Sequence, residues 1–157
     1  MKPITRTGLE QEGFQGFVPL EGLDFAEVPS DGGVYVVLAP AGAHPVFLTQ
    51  SPAGRFKRKD PTVVVAVLED RWVANSEVVY IGKATCLRKR LQQYKQFGAG
   101  QPVGHWGGRY VWQIEQARYL DVAWLSTPGQ VPRAAEEALL ARFCCQHGSL
   151  PFANLRR

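Results

Sequence analysis

Short runs of β-branched and aromatic residues, separated by stretches rich in glycine and proline, predict a small β-sheet. Strands or short extended segments are predicted at 34–38, 46–48, 62–68, 78–82, 110–114 and 119–126. By contrast, residues 1–30 show no regular apolar period. We therefore interpret them as an irregular amino-terminal arm.

Two segments carry helical signals. The first helix is predicted over 86–97, with Thr85 as its N-cap. Its apolar positions recur at i, i+4 and i+7: Leu87, Leu91 and Tyr94. The second is predicted over 132–147, because proline favours the first turn of a helix and Gly148 favours its end. Strands and helices do not alternate strictly, so the fold class is predicted to be α+β: a small mixed or antiparallel sheet flanked by helices.

Composition and length favour one ordinary globular domain. Of the 157 residues, 45% are hydrophobic and 20% are charged, which is typical of soluble domains. The apolar runs are far shorter than the ~20 residues that span a bilayer, and the first residues lack a signal-peptide stretch. Three cysteines are too few, and odd in number, for a disulfide framework. We predict a reduced cytoplasmic protein with no membrane partner, and the oligomeric state stays open.

The charge distribution points to a polyanionic partner. The net charge is +4, but residues 1–31 hold two basic and six acidic residues. Residues 78–114 hold six basic residues and no acidic one, and a second basic run lies at 55–59. Concentrated positive charge favours nucleic acid through the release of its counterions. The alternative is a solvated basic face without a partner.

The first candidate for chemistry is an arginine on the first helix. Arg90 lies three residues after Leu87 and four before Tyr94, so it shares their apolar side, whereas Arg88 and Lys89 point away. An arginine that faces a core is costly unless an anion pairs with it. Arg90 is therefore a candidate phosphate ligand, and the alternative is a side chain that reaches solvent at the edge of the helix.

The second candidate is a carboxylate on the second helix. Glu136 precedes Leu139, Leu140 and Phe143 by three, four and seven residues, and so shares their apolar face. A carboxylate in this position could bind Mg²⁺. The alternative is a first-turn acid that complements the helix dipole. The histidines and cysteines show no zinc-like spacing.

Two other segments are candidates for nucleic-acid contact. Glycines beside Trp106, His105 and Arg109 suit a loop that stacks on nucleotides. The alternative is a tryptophan packed in a tight turn. The basic run at 55–59 either contacts phosphate or is a solvated tip.

Five features of the sequence follow one another in a characteristic order along the chain. They are Gly33-Val34-Tyr35, Tyr80-Ile81-Gly82, Arg90, Glu136 and Pro151-Phe152-Ala153-Asn154. Together they resemble the GIY-YIG nuclease superfamily, with valine in place of isoleucine in the first triplet. The run from Tyr80 through Lys83 to Tyr94 resembles in particular the amino-terminal nuclease domain of the excision-repair incision subunit.

The resemblance implies a metal-dependent endonuclease that hydrolyses phosphodiester bonds of nucleic acid, DNA above all. It implies that Glu136 holds Mg²⁺ or Mn²⁺ and that Arg90 neutralises the scissile phosphate. It also implies that Tyr35, with Tyr80 beside it, is the base or positions the water, and Lys83 is the cation expected to lower the pKa of Tyr35. With the loop described above, the residues predicted to bind substrate are Gly82, Arg88, Tyr94, His105, Arg109 and Asn154.

Two departures from the family pattern shape the domain prediction. The tyrosines lie 45 residues apart, where the family usually has a short hairpin link. Residues 40–75 are therefore predicted to be an insertion, between the arm at 1–30 and a remainder at 76–157 within one domain. Because the spacing from Glu136 to Asn154 is longer than usual, Glu137 stays open as the metal ligand. The alternative functions are a nucleic-acid-binding module of the same fold without catalysis, and a structural or regulatory partner protein.

Overall fold

A computed structural model describes residues 2–155 as an α+β fold with a four-stranded antiparallel sheet flanked by helices. The elements are α1 (Arg6–Gln11), β1 (Gln15–Pro19), β2 (Gly33–Leu38), α2 (Val65–Arg71), β3 (Val78–Ala84), α3 (Leu87–Gly98), β4 (Asp121–Ser126) and α4 (Pro132–His147). Short 3₁₀ turns lie at Phe25–Glu27, Trp106–Gly108, Val111–Gln113 and Ala117–Tyr119. The predicted fold class is confirmed. Within the described range, no helix is long and apolar enough to cross a membrane.

The sheet has the strand order β1-β4-β2-β3, so β2 is central and β3 is an outer strand. Side chains alternate between the two faces of a strand. Tyr35 and Tyr80 point to the face covered by α3. Val36 and Ile81 point to the opposite face, which α4 covers with Leu139, Leu140 and Phe143. Two apolar layers on either side of the sheet therefore form the core.

The predictions for β2, β3, β4 and both helices are confirmed to within a few residues, including the end of α4 at Gly148. Cys86, not Thr85, is the N-cap of α3, and its side chain makes no capping hydrogen bond. Gly148 ends α4 in the left-handed region, at φ 77°. The extended segments predicted at 110–114 and 46–48 were wrong: Val111–Gln113 form a 3₁₀ turn, and of 46–48 only Phe47 makes a β-bridge, to Ile114.

The strand predicted at 62–68 was wrong, because this segment enters helix α2. Its valines have high strand propensity, but propensity is outweighed where there is no sheet to join. Leu68 alone in α2 is buried, and Val64 and Val67 remain exposed. One buried leucine is enough to hold one face of this short helix against the core.

The irregular arm predicted at 1–30 was also wrong. This segment forms α1 and β1, and β1 pairs with β4 in antiparallel register. It buries Ile4, Leu9, Phe14 and Leu20 in the core. An ion pair between Arg6 and Asp121 joins α1 to β4. The pairing spans about 100 residues of sequence and has no local pattern, which is why the apolar period did not predict it.

Candidate functional site

A pocket of about 610 Å³ lies at the outer edge of β3. It is lined by Tyr80, Lys83, Trp106, Gly107, Arg109, Glu136, Asn154 and Leu155. Four parts of the chain therefore meet here: β3, the 105–109 loop, α4 and the carboxyl-terminal tail. Because β3 is an outer strand, side chains from both faces of the sheet reach the same space.

Glu136 is the carboxylate that faces this pocket. Its side chain is only 13% exposed, and its Oε1 lies 3.3 Å from Lys83 Nζ. Glu137 is 54% exposed and pairs with Arg133 at 3.0 Å, away from the pocket. Of the two glutamates left open by the sequence, the structure thus places Glu136 beside Tyr80 and Lys83.

Gly82 is required by the packing of Tyr35. The two residues are register partners in the β2–β3 pair, and the fully buried ring of Tyr35 lies directly over the glycine. A Cβ atom on Gly82 would come within 2.6 Å of Tyr35 Cε1 and 2.5 Å of its Oη. The glycine of the second triplet thus makes room for the tyrosine of the first.

Tyr35 is hydrogen-bonded to His105 in the core. Tyr35 Oη and His105 Nε2 are 2.7 Å apart, and both side chains are fully buried. Burial, reinforced by the charge of Arg90, lowers the pKa of His105 to about 3. His105 is therefore neutral near pH 7, and its tautomer decides whether Nε2 donates or accepts the hydrogen bond with the Tyr35 hydroxyl.

The pKa of Tyr35 shifts in the direction opposite to the one expected, and the pKa of Tyr80 shifts in the same direction as that of Tyr35. Burial is the largest cause and raises the pKa of both Tyr35 and Tyr80 above 10. The positive charge of Arg90 opposes the rise without reversing it. Lys83 points to the α4 face and pairs with Glu136, so the prediction that it lowers the pKa of Tyr35 was wrong.

Arg90 lies close enough to Tyr35 and Tyr80 for its charge to affect the pKa of both. Its Nη1 donates to Gly104 O at 2.6 Å and to Gln93 Oε1 at 3.2 Å. The side chain is half-buried and lines a groove of about 440 Å³ that shares Lys83 with the main pocket. Lys83 therefore connects the space around Glu136 with the space around Arg90.

Three of the predicted substrate-binding residues make contacts that support the fold. Tyr94 and His105 are fully buried and pack against each other at a tilt of 51°, with ring centroids 5.0 Å apart, so neither reaches a bound nucleotide. Arg88 donates to the carbonyl oxygens of Val28 at 2.9 Å and Ala26 at 3.3 Å, and fastens the amino-terminal segment to α3. Burial corrects the prediction for Tyr94 and His105, whereas substrate contact by the half-buried Arg88 stays a prediction.

Asn154 supports the pocket through the backbone of β3. Its side-chain amide donates to Ile81 O at 2.8 Å, and its Oδ1 accepts from Ile81 N at 2.9 Å. Ala153 N also donates to Val79 O at 2.9 Å. The tail thus continues the hydrogen bonding of the sheet and fixes β3 at the residue between Tyr80 and Gly82.

Trp106 and Arg109 form the wall of the pocket opposite α4. The Arg109 guanidinium lies 4.7 Å from the centre of the Trp106 ring, and its Nη1 donates to Trp106 O at 3.1 Å. Burial lowers the pKa of Arg109. No acidic residue within 2–155 forms an ion pair with it. Sequence reasoning singled out this loop but not the stacked pair.

The residues fit a weakly held divalent metal better than a resident one. Across the described part of the chain, no group of three potential metal ligands comes together. Magnesium, however, usually keeps several waters and binds through one or two carboxylates together with substrate phosphates. Glu136, beside three cations that could hold a phosphate, matches that donor set.

Comparisons with protein-family models, curated proteins and solved structures found no match to this chain.

Proposed function

We propose that this protein is a metal-dependent endonuclease that hydrolyses phosphodiester bonds in nucleic acid, DNA above all. The observation that supports this most strongly is the convergence of Tyr80, Lys83, Glu136 and Arg109 on one pocket, with Arg90 in the adjoining groove. These groups come from distant parts of the chain and offer one carboxylate, one phenol and three cations. That donor set suits a phosphodiester and a divalent ion.

The cations bind and orient the substrate. Arg90 offers a half-buried guanidinium, which pairs with phosphate oxygens in a bidentate manner. Lys83 adds a positive charge between the pocket and the groove. Arg109 holds charge without an acidic partner within residues 2–155, next to an indole ring on which a base can stack. Together they neutralise a phosphate whose charge rises in the transition state.

Of the two phenols, Tyr80 positions a water and does not deprotonate it. Tyr80 lines the pocket, and its raised pKa leaves it protonated near pH 7, so it holds a water by hydrogen bonding. Tyr35 lies behind it, with ring centroids 6.0 Å apart, and is fixed by His105. Glu136 would hold Mg²⁺ or Mn²⁺, which when bound supplies Lewis-acid stabilisation of the leaving oxygen.

A second candidate is a nucleic-acid-binding module of this fold that does not cut. The raised pKa values of Tyr35 and Tyr80 favour it, because protonated phenols are poor general bases at neutral pH. The cytoplasm remains the proposed compartment for either candidate, because all three cysteines are free thiols.

The test compares Glu136→Gln with its neighbour Glu137→Gln. Purified wild-type protein is incubated with labelled DNA and RNA, single-stranded, duplex and branched, with Mg²⁺, Mn²⁺ or a chelator. We expect metal-dependent cleavage that falls on the order of 100-fold in Glu136→Gln and is unchanged in Glu137→Gln. Binding without cleavage of any substrate would establish the second candidate. Equal losses in both variants would contradict the role of Glu136.

A further inference from the structure

A tight turn outside the pocket holds two cations in an unfavourable backbone conformation. Phe56 and Lys59 form a β-bridge, and Lys59 N donates to Phe56 O at 3.0 Å. Lys57 and Arg58, between them, have φ values of 52° and 65°. Turns with two such residues strongly prefer Asn-Gly, because long side chains are strained in the left-handed region. Lys-Arg is therefore a costly choice for folding.

The cations of this turn are exposed and mostly uncompensated. We call residues 55–59 the basic turn; its members Arg55, Lys57, Arg58 and Lys59 all reach solvent. Arg55 pairs with Asp60 at 3.4 Å. Among the residues that the structure describes, the other three have no acidic partner within 4.0 Å. Three adjacent positive charges thus face the solvent.

The basic turn is fixed to the part of the protein that holds Arg90. Gly54 N donates to Phe97 O at the end of α3, at 2.8 Å, and a side chain at Gly54 would collide with the carbonyl of Gln101. The Phe56 ring lies against Gly104, whose carbonyl oxygen accepts from Arg90 at 2.6 Å. The turn is therefore anchored next to the groove.

We propose that the basic turn is a second phosphate-binding site, which holds the nucleic-acid backbone away from the bond that is cut. The inference rests on the proposed function, because the polyanion it binds is the strand that enters the pocket. Clustered cations gain affinity by releasing the counterions of phosphates, and a backbone turn that is anchored at its base gives up less freedom on binding. Strain that folding alone would not favour is typical of functional positions.

The test variant is Lys57→Asn/Arg58→Gly, which removes two charges and gives the turn its preferred residues, so that folding is preserved or improved. The control is Lys2→Ala/Arg118→Ala, which removes two cations that lie outside the pocket, the groove and the turn. The fluorescence anisotropy of a labelled DNA duplex is measured with each protein across a series of salt concentrations. The chelator is present throughout, so that no cleavage interferes.

Each phosphate contact contributes about 0.9 to the slope of log affinity against log salt. We expect the turn variant to lose about 1.8 of that slope and up to roughly 60-fold in affinity at 0.1 M salt, and the control to match wild type. Equal slopes in turn variant and wild type, or equal losses in variant and control, would overturn the proposal.

The result separates this inference from the proposed function. A wild-type protein that cuts DNA while the turn variant binds normally refutes the turn alone. A protein that cuts nothing but loses salt-dependent binding in the turn variant refutes the nuclease and retains the turn. A wild-type protein that does not bind nucleic acid refutes both.

Discussion

Replacing Gly82 by alanine tests the contact between Gly82 on β3 and Tyr35 on β2. The new methyl group would lie 2.5 Å from Tyr35 Oη and 2.6 Å from Cε1, well inside van der Waals contact. The ring cannot retreat easily, because it is fully buried. We expect it to shift and to stretch its 2.7 Å hydrogen bond to His105.

The size of the effect follows from three opposing terms. Forcing an extra methyl group into a filled core costs about 1–3 kcal/mol. Leaving buried hydrogen-bonding groups unpaired costs about 1–3 kcal/mol more. Alanine recovers about 0.5–1 kcal/mol over glycine within a strand. The free energy of unfolding should therefore fall by about 3 kcal/mol, which for a chain of this length lowers Tm by roughly 10 °C.

Thermal unfolding followed by circular dichroism measures this change. Gly104→Ala is the matched control, because a Cβ there would lie 3.7 Å from the Phe56 ring, at an ordinary contact distance. We expect its Tm to stay within about 2 °C of wild type. If Gly82→Ala unfolds at the wild-type temperature, the ring does not cover the glycine, and the described packing of Tyr35 is wrong.

Two further predictions concern the supports of the site. The pKa of His105 is about 3 in the folded protein, against 6.5 for an ordinary histidine. Between these two pH values, His105 is therefore protonated in the unfolded chain but not in the folded protein. The free energy of unfolding should fall by up to about 1.4 kcal/mol per pH unit as the pH decreases below 6.5. Urea unfolding at pH 7 and pH 5 measures this fall, and the His105→Gln variant should not show it. If wild type and variant have the same pH dependence, His105 is not buried in its neutral form. Asn154→Ala should cost about 2 kcal/mol, because both of its hydrogen bonds to Ile81 are lost. Amide exchange should show faster exchange at Ile81, and unchanged protection would count against its role in fixing β3.

The sequence predicted those parts of the fold that depend on local patterns. Strands β2 and β3 are continuous apolar runs, and α3 repeats its buried residues at helical spacing. Pro132 and Gly148 mark the ends of α4 through their own backbone preferences. In each case neighbouring residues are enough to determine the element, so the prediction needed no knowledge of the partner surfaces.

Long-range pairing is what the sequence did not reveal. Strand β1 forms against β4, far along the chain, and residues 65–68 are helical because they have no strand to pair with. His105 is in the core because Tyr35, seventy residues earlier, offers it a hydroxyl. None of these contacts leaves a periodic signal in the chain.

The sequence by itself predicted which residue types would form the candidate site: two tyrosines, a lysine, an arginine and a glutamate, in that order along the chain. Only the tertiary structure decided which of them face the same space. It placed Tyr80, Lys83 and Glu136 at one pocket and buried Tyr35 behind them. The physical reason is that β3 is an outer strand, so that side chains from both faces of the sheet meet around its edge.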